Sequence, residues 1–175
     1  EPVGSDDRDA VDAGVAPRRG EQRPGGEAVD LVLREPRIGD GRVGKRVSTP
    51  LGPFRLQQVS SDPKARKAHI DAILETAAKE VRPANDRIYL VGGSWRVIAR
   101  LDMERRNYPL TVLHEYRMTP DGLTATLDWL QTADLPALRG RTGTSAERME
   151  LVPLACEVLR EIIRILKPSE IDVSA

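Results

Sequence analysis

The chain has 175 residues, enough for one domain of ordinary size with a real core. Lys plus Arg number 27 and Asp plus Glu number 27, so the chain lacks the electrostatic excess that bulk nucleic-acid binding needs. A single cysteine, Cys156, excludes an intrachain disulfide and a thiolate metal cluster, and no run is apolar enough to span a bilayer. Glu1 to Ala28 contains no leucine, isoleucine or aromatic residue, so it cannot bury enough apolar surface to offset its ordering entropy. It reads as disordered or badly packed. "VDLVL", from Val29, is a short strand candidate. Asp40-Gly41 lies between β-prone runs and predicts a hairpin, with strands near Arg34–Ile38 and Arg42–Thr49.

Ser61-Asp62-Pro63 opens a helix: a cap residue, then proline in the first turn. Apolar residues recur at helical spacing from Ala65 to Val81, and Pro83 ends the pattern. "RIYLV", Arg87 to Val91, is a short buried strand. A helix is predicted over Ser94 to Arg106, with Trp95, Ile98, Ala99 and Leu101-Asp102-Met103 forming its apolar stripe and arginines opposite. Thr119-Pro120 caps a further helix carrying Leu123, Leu127, Trp129 and Leu130. Thr144-Ser145-Ala146-Glu147 has the pattern of a capping box, and the helix it opens should run to about Lys167, largely buried, with Pro153 bending it. "EIDVS" resumes as a strand. Strand, helices and strand in that order predict an α/β sheet with parallel neighbours.

The candidate chemistry centres on Gly92, Gly93 and Ser94. A strand that ends in glycines and enters a helix offers backbone N–H groups at the positive end of the helix dipole, with no Cβ in the way of a ligand oxygen. Arg96, one turn on, suits phosphate through its planar fork. The bland alternative is a plain strand-to-helix turn with Ser94 as N-cap. Arg105 and Arg106 read as a solvated helix face. "LRGRTGTSAER", Leu138 to Arg148, reads as a basic connector within reach of an anion. His69 and His114 have no ligand-like spacing, and Cys156 reads as a small core residue. No catalytic residue and no carboxylate pair for a metal stands out, which argues against a self-sufficient catalyst.

The run "YLVGGSWRVIARLDMERRNYPLTVLHEYRM", Tyr89 to Met118, resembles the exopolyphosphatase and guanosine pentaphosphate phosphohydrolase (Ppx/GppA) family. "GTSAERMELVPLACEVLREIIRILKPSEIDVSA" looks like that family's long helix and last strand, and "RIGDGRVGKRVSTPLGPFRL" like the hairpin of its second domain. The resemblance implies an actin-like, ribonuclease-H-like α/β fold. In the family, two such domains enclose a cleft that holds polyphosphate or a guanosine alarmone. Mg²⁺ assists, and a water activated by an acid cleaves the terminal phosphate. Gly92, Gly93 and Ser94 match the glycine loop of the second domain. The family's other phosphate loop is not matched: Asp30-Leu31 runs into Val32-Leu33-Arg34-Glu35-Pro36 with no glycines.

Residues 1–28 are therefore expected to be disordered or unrelated, and residues 29–175 to form a partial second domain. The chain opens on Glu1 and closes on a strand that stops, which reads as a fragment of something longer. Without the catalytic first domain it is expected to be inactive on phosphoanhydrides; the alternative is a binding or regulatory module that holds the same anions without hydrolysis. No leader pattern opens the chain, so a cytoplasmic protein is expected, with no nucleic-acid or membrane partner. An exposed sheet edge would invite self-association.

Overall fold

The computed structural model describes residues 29–32, 46–80 and 87–174. The strands are β1 (Val29–Val32), β2 (Arg46–Thr49), β3 (Arg87–Val91), β4 (Tyr116–Met118) and β5 (Glu170–Ser174). The helices are α1 (Pro53–Val59), α2 (Pro63–Glu80), α3 (Gly93–Arg105), α4 (Pro120–Leu130), α5 (Leu135–Thr142), α6 (Ala146–Glu150) and α7 (Val152–Leu166). The sheet order is β2-β1-β3-β5-β4. β3 and β5 are parallel, as expected of strands joined by helices, and β4 is an antiparallel edge. The domain is thus a mixed α/β fold. β1 pairs with both β2 and β3 in antiparallel register. The Asp40-Gly41 turn, the expected strand at Arg34–Ile38, the first part of the one at Arg42–Thr49, the helix stop at Pro83 and the segment Glu1–Ala28 lie outside the described residues.

Alternation along the strands sorts the two faces of the sheet. Ile88, Leu90, Tyr116, Met118, Ile171 and Val173 are buried. The opposite face carries Arg87, Arg117, Glu170 and Asp172. Arg117 Nε donates to Asp172 Oδ1 at 2.9 Å, and Arg87 pairs with Glu170 and, at 3.7 Å, with Asp172. Three adjacent strands are thereby tied by alternating charge, and Asp172 is buried between two guanidinium groups.

The helices build a second layer around α7, which packs against α1, α2, α3, α4 and α6. The caps explain most of their boundaries. Asp62 accepts from Lys64 N–H at 3.1 Å and Ala65 N–H at 3.3 Å, and α2 starts at Pro63. Thr119 Oγ1 accepts from Gly122 N–H at 3.1 Å at the start of α4. Across the helices, the Arg66 guanidinium makes a two-pronged contact with Glu157, at 2.9 and 2.7 Å, that fastens α2 to α7.

Several expectations are corrected. The single helix from Thr144 to Lys167 is two helices, because Pro153 has no N–H to offer the Met149 carbonyl and its ring crowds that turn. Pro153 lies in the first turn of α7 instead of bending a longer helix. The capping box does not form: Ser145 is the N-cap of α6, and Thr144 shares a 2.9 Å hydrogen bond with Thr142. The Glu147 carboxyl is held below its usual range by its own backbone N–H and then by the Ser145 hydroxyl. The basic connector from Leu138 is in its first part the helix α5. Asp134 caps it, accepting from Ala137 N–H at 3.0 Å, and Gly143 at φ 62° ends it in the left-handed conformation. α1 and β4 are additions that the sequence pattern did not predict.

Cys156 sits on α7 as the expected core residue, and burial pushes its thiol up to about 12. The folded protein should therefore resist iodoacetamide at pH 8 and react fully in urea, as read by intact mass. Labelling of the native protein would show that α7 opens locally.

Candidate anion site at the start of α3

β3 ends at Val91, and α3 begins two residues later. Gly92, at φ 142° and ψ 164°, makes the turn. Only glycine takes that conformation without strain. A Cβ there would lie in van der Waals contact with Trp95, whose Cδ1 is 3.4 Å away, so the backbone conformation and not the space is what demands glycine. The buried Trp95 ring thus seats the turn from below. Arg96 N–H donates to the Gly92 carbonyl at 3.2 Å, the first bond of the helix. The amides of Gly93, Ser94 and Trp95 precede it and have no intrahelical acceptor. Among the described residues no side chain caps this end. Ser94 lies inside the first turn of α3, so the alternative in which it is the N-cap is corrected.

Gly93 is half-buried, and the space where its side chain would stand is open. The nearest atom to that position is Arg148 Cζ, at 4.0 Å. The guanidinium comes from α6, in the segment predicted as a basic connector within reach of an anion. Arg148 and Arg96 are both exposed, and among the described residues neither has an ion-pair partner. The structure therefore brings Gly92, Gly93, Ser94 and Arg148 together and leaves Arg96 one turn along the same helix. Amides and guanidinium groups without partners among the described residues, at the positive end of a 13-residue helix, are groups to which an oxyanion can hydrogen-bond.

The buried acid nearest in sequence is committed elsewhere. Asp102, on α3, is fully buried. Tyr116 Oη donates to its Oδ2 at 2.6 Å, and the Thr126 hydroxyl donates to Oδ1. Arg105 and Arg106 approach at 3.3 and 3.5 Å. Burial first, then Asp102, pushes the Tyr116 phenol well above its ordinary range. Arg105 also donates to Thr126 Oγ1 at 3.0 Å, so it belongs to this cluster and the solvated-face reading of it is corrected. The one sequence signal for the cluster was an acid inside an apolar stripe, with arginines three and four positions on.

Mg²⁺, which the resemblance implies, binds hard oxygen donors. The charged side chains at the glycine turn are arginines, the wrong sign for a cation, and among the described residues no three His, Cys, Asp or Glu side chains converge. The residues present do not fit the metal, and no step is routed through it.

These features define a mixed α/β domain in which a glycine turn joins a central strand to a helix. Solved structures share that fold. An exopolyphosphatase from Cytophaga hutchinsonii matches 86% of this chain and 50% of its own, at 16% identity and TM-score 0.66. An exopolyphosphatase-like protein matches over 86% and 52%, at 20% identity and TM-score 0.67. The Aquifex aeolicus PPX-GPPA enzyme matches over 86% and 50%, at 19% identity and TM-score 0.60. No protein-family model and no curated protein matches the sequence. The chain spans about half the length of the solved structures it matches. The resemblance to Ppx/GppA phosphatases thus holds in three dimensions as a likeness of fold. Among the described residues no helix is long and apolar enough to cross a membrane.

Proposed function

We propose that residues 29–175 are the second domain of an exopolyphosphatase-like phosphohydrolase, actin-like in architecture, and that Gly92, Gly93, Ser94, Arg96 and Arg148 hold the phosphates of its substrate. One observation carries this reading: the open space at Gly93 is bounded by the guanidinium of Arg148, which has no ion-pair partner among the described residues. The parent reaction is hydrolysis of a phosphoanhydride, in polyphosphate or guanosine pentaphosphate. This chain binds but does not hydrolyse, because the arginines can stabilise an anion but cannot activate water, and Asp102 is enclosed by its partners. Isolated, it behaves as a phosphate-binding module.

Titration calorimetry with long-chain polyphosphate tests this. The wild type should bind, with affinity falling as salt rises. Gly93→Asp puts a carboxylate into the opening and should abolish binding. Arg148→Ala should weaken it roughly tenfold, the worth of a charge-assisted hydrogen bond. Equal binding by all three, or none by the wild type, overturns the site. Robust phosphate release by the isolated chain with Mg²⁺ overturns the claim that it does not hydrolyse.

A further inference from the structure

A cavity of about 400 Å³ lies between α4, the start of α5 and α7. That size is ordinary for a ligand site. Leu127, Leu130, Leu135 and Val152 give it apolar walls, and Cys156 adds a protonated thiol. The charges around it cancel in pairs. Glu157, which lines it, is held by Arg66 through two hydrogen bonds at 2.9 and 2.7 Å. Arg160, which also lines it, has its Nη2 atom 2.8 Å from Asp128 Oδ1. That contact is an ion pair without a hydrogen bond: Arg160 Nη2 is buried and has no acceptor among the described residues. Asp128 stands on α4, which lines this cavity and not the smaller one between α2 and α7. Arg160 Nη2 therefore faces the α4 side of α7. A buried N–H without an acceptor is costly, and an oxygen brought to it recovers the loss.

We infer that this cavity binds a small uncharged carbonyl compound with an apolar body, whose oxygen accepts a hydrogen bond from Arg160 Nη2. The walls favour the body by burial. The orphaned N–H favours the oxygen, and a plain hydrocarbon leaves it bare. The paired charges disfavour an ionised ligand, since a carboxylate would enter beside Asp128 and Glu157 with no free cation to meet it. No residue of the glycine turn lines the cavity, so the inference stands apart from the proposed anion site.

Acetophenone, ethylbenzene and benzoate share one ring and differ in the group it carries. Each should be titrated into the full chain and followed by ¹H–¹⁵N correlation spectra. Acetophenone should shift amides of α4, α5 and α7 and bind roughly tenfold more tightly than ethylbenzene, with benzoate no better than the hydrocarbon. Arg160→Met should erase the advantage of acetophenone and leave ethylbenzene within about twofold. Asp128→Asn frees the charge of Arg160 and should strengthen benzoate roughly tenfold. Both side chains are partly exposed, so both variants should melt near the wild type. The comparison in the wild type needs no variant at all. Acetophenone and ethylbenzene binding alike there, or none of the three shifting these helices, overturns the site. Benzoate binding most tightly to the wild type, or unchanged in Asp128→Asn, overturns the uncharged ligand class.

Discussion

Asp102→Ala is expected to destabilise the protein by about 3–5 kcal/mol, the usual result of breaking a buried charge from its partners. The carboxylate accepts from Tyr116 on β4 and Thr126 on α4 and faces Arg105 and Arg106 on and just beyond its own helix. Its removal leaves the Tyr116 hydroxyl without its strongest acceptor inside the core, and two arginines without their counter-charge. Urea unfolding monitored by circular dichroism would measure the loss. Tyr116→Phe alone should cost about 1 kcal/mol, since it removes one donor from a network that keeps the others. The double variant should cost less than the sum, because both changes remove the same hydrogen bond. An Asp102→Ala midpoint within about 1 kcal/mol of wild type would mean that water reaches the cluster, and that its burial is not what organises this end of α3.

The second large effect lies in α7. Leu159 is fully buried on the helix that contacts α1, α2, α3, α4 and α6. Leu159→Ala should cost about 2–5 kcal/mol: the transfer energy of the deleted carbons plus the cavity left behind. The upper part of that range is expected, because neighbours on several helices would have to move together to fill the hole. The same denaturant titration gives the number. A loss below about 1 kcal/mol would show that the helices collapse onto the gap, and that the layer is loosely packed.

What the sequence disclosed follows from where local chemistry decides structure. α2 and α4 were legible because Asp62-Pro63 and Thr119-Pro120 mark their starts, and the parallel pair β3 and β5 because an apolar run and a polar–apolar alternation are separated by helices. β4 is three residues long, too short for alternation to register. α5 contains Gly140 between two arginines, a composition that reads as a loop, yet Asp134 and Gly143 cap it at both ends. The α6–α7 break needed the geometric consequence of Pro153, not merely its presence. At the site, Gly92 to Ser94 was visible as a pattern, since backbone torsions are a local matter. Arg148 as a specific partner was not, because its place beside Gly93 depends on how α5 and α6 fold back across α3. Asp102 was hidden for a related reason: a buried carboxylate is recognisable only once the donors from β4 and α4 are seen to converge on it.

The charged face of the sheet has a bearing on colloidal behaviour. β4 forms one rim of the sheet and carries Arg117 on that face, bonded inward to Asp172. A rim of three residues with a long charged side chain at its centre is a poor template for an incoming strand, since few backbone groups can be matched. The same residue that ties the last strand in place thus guards that flank against stacking into fibrils.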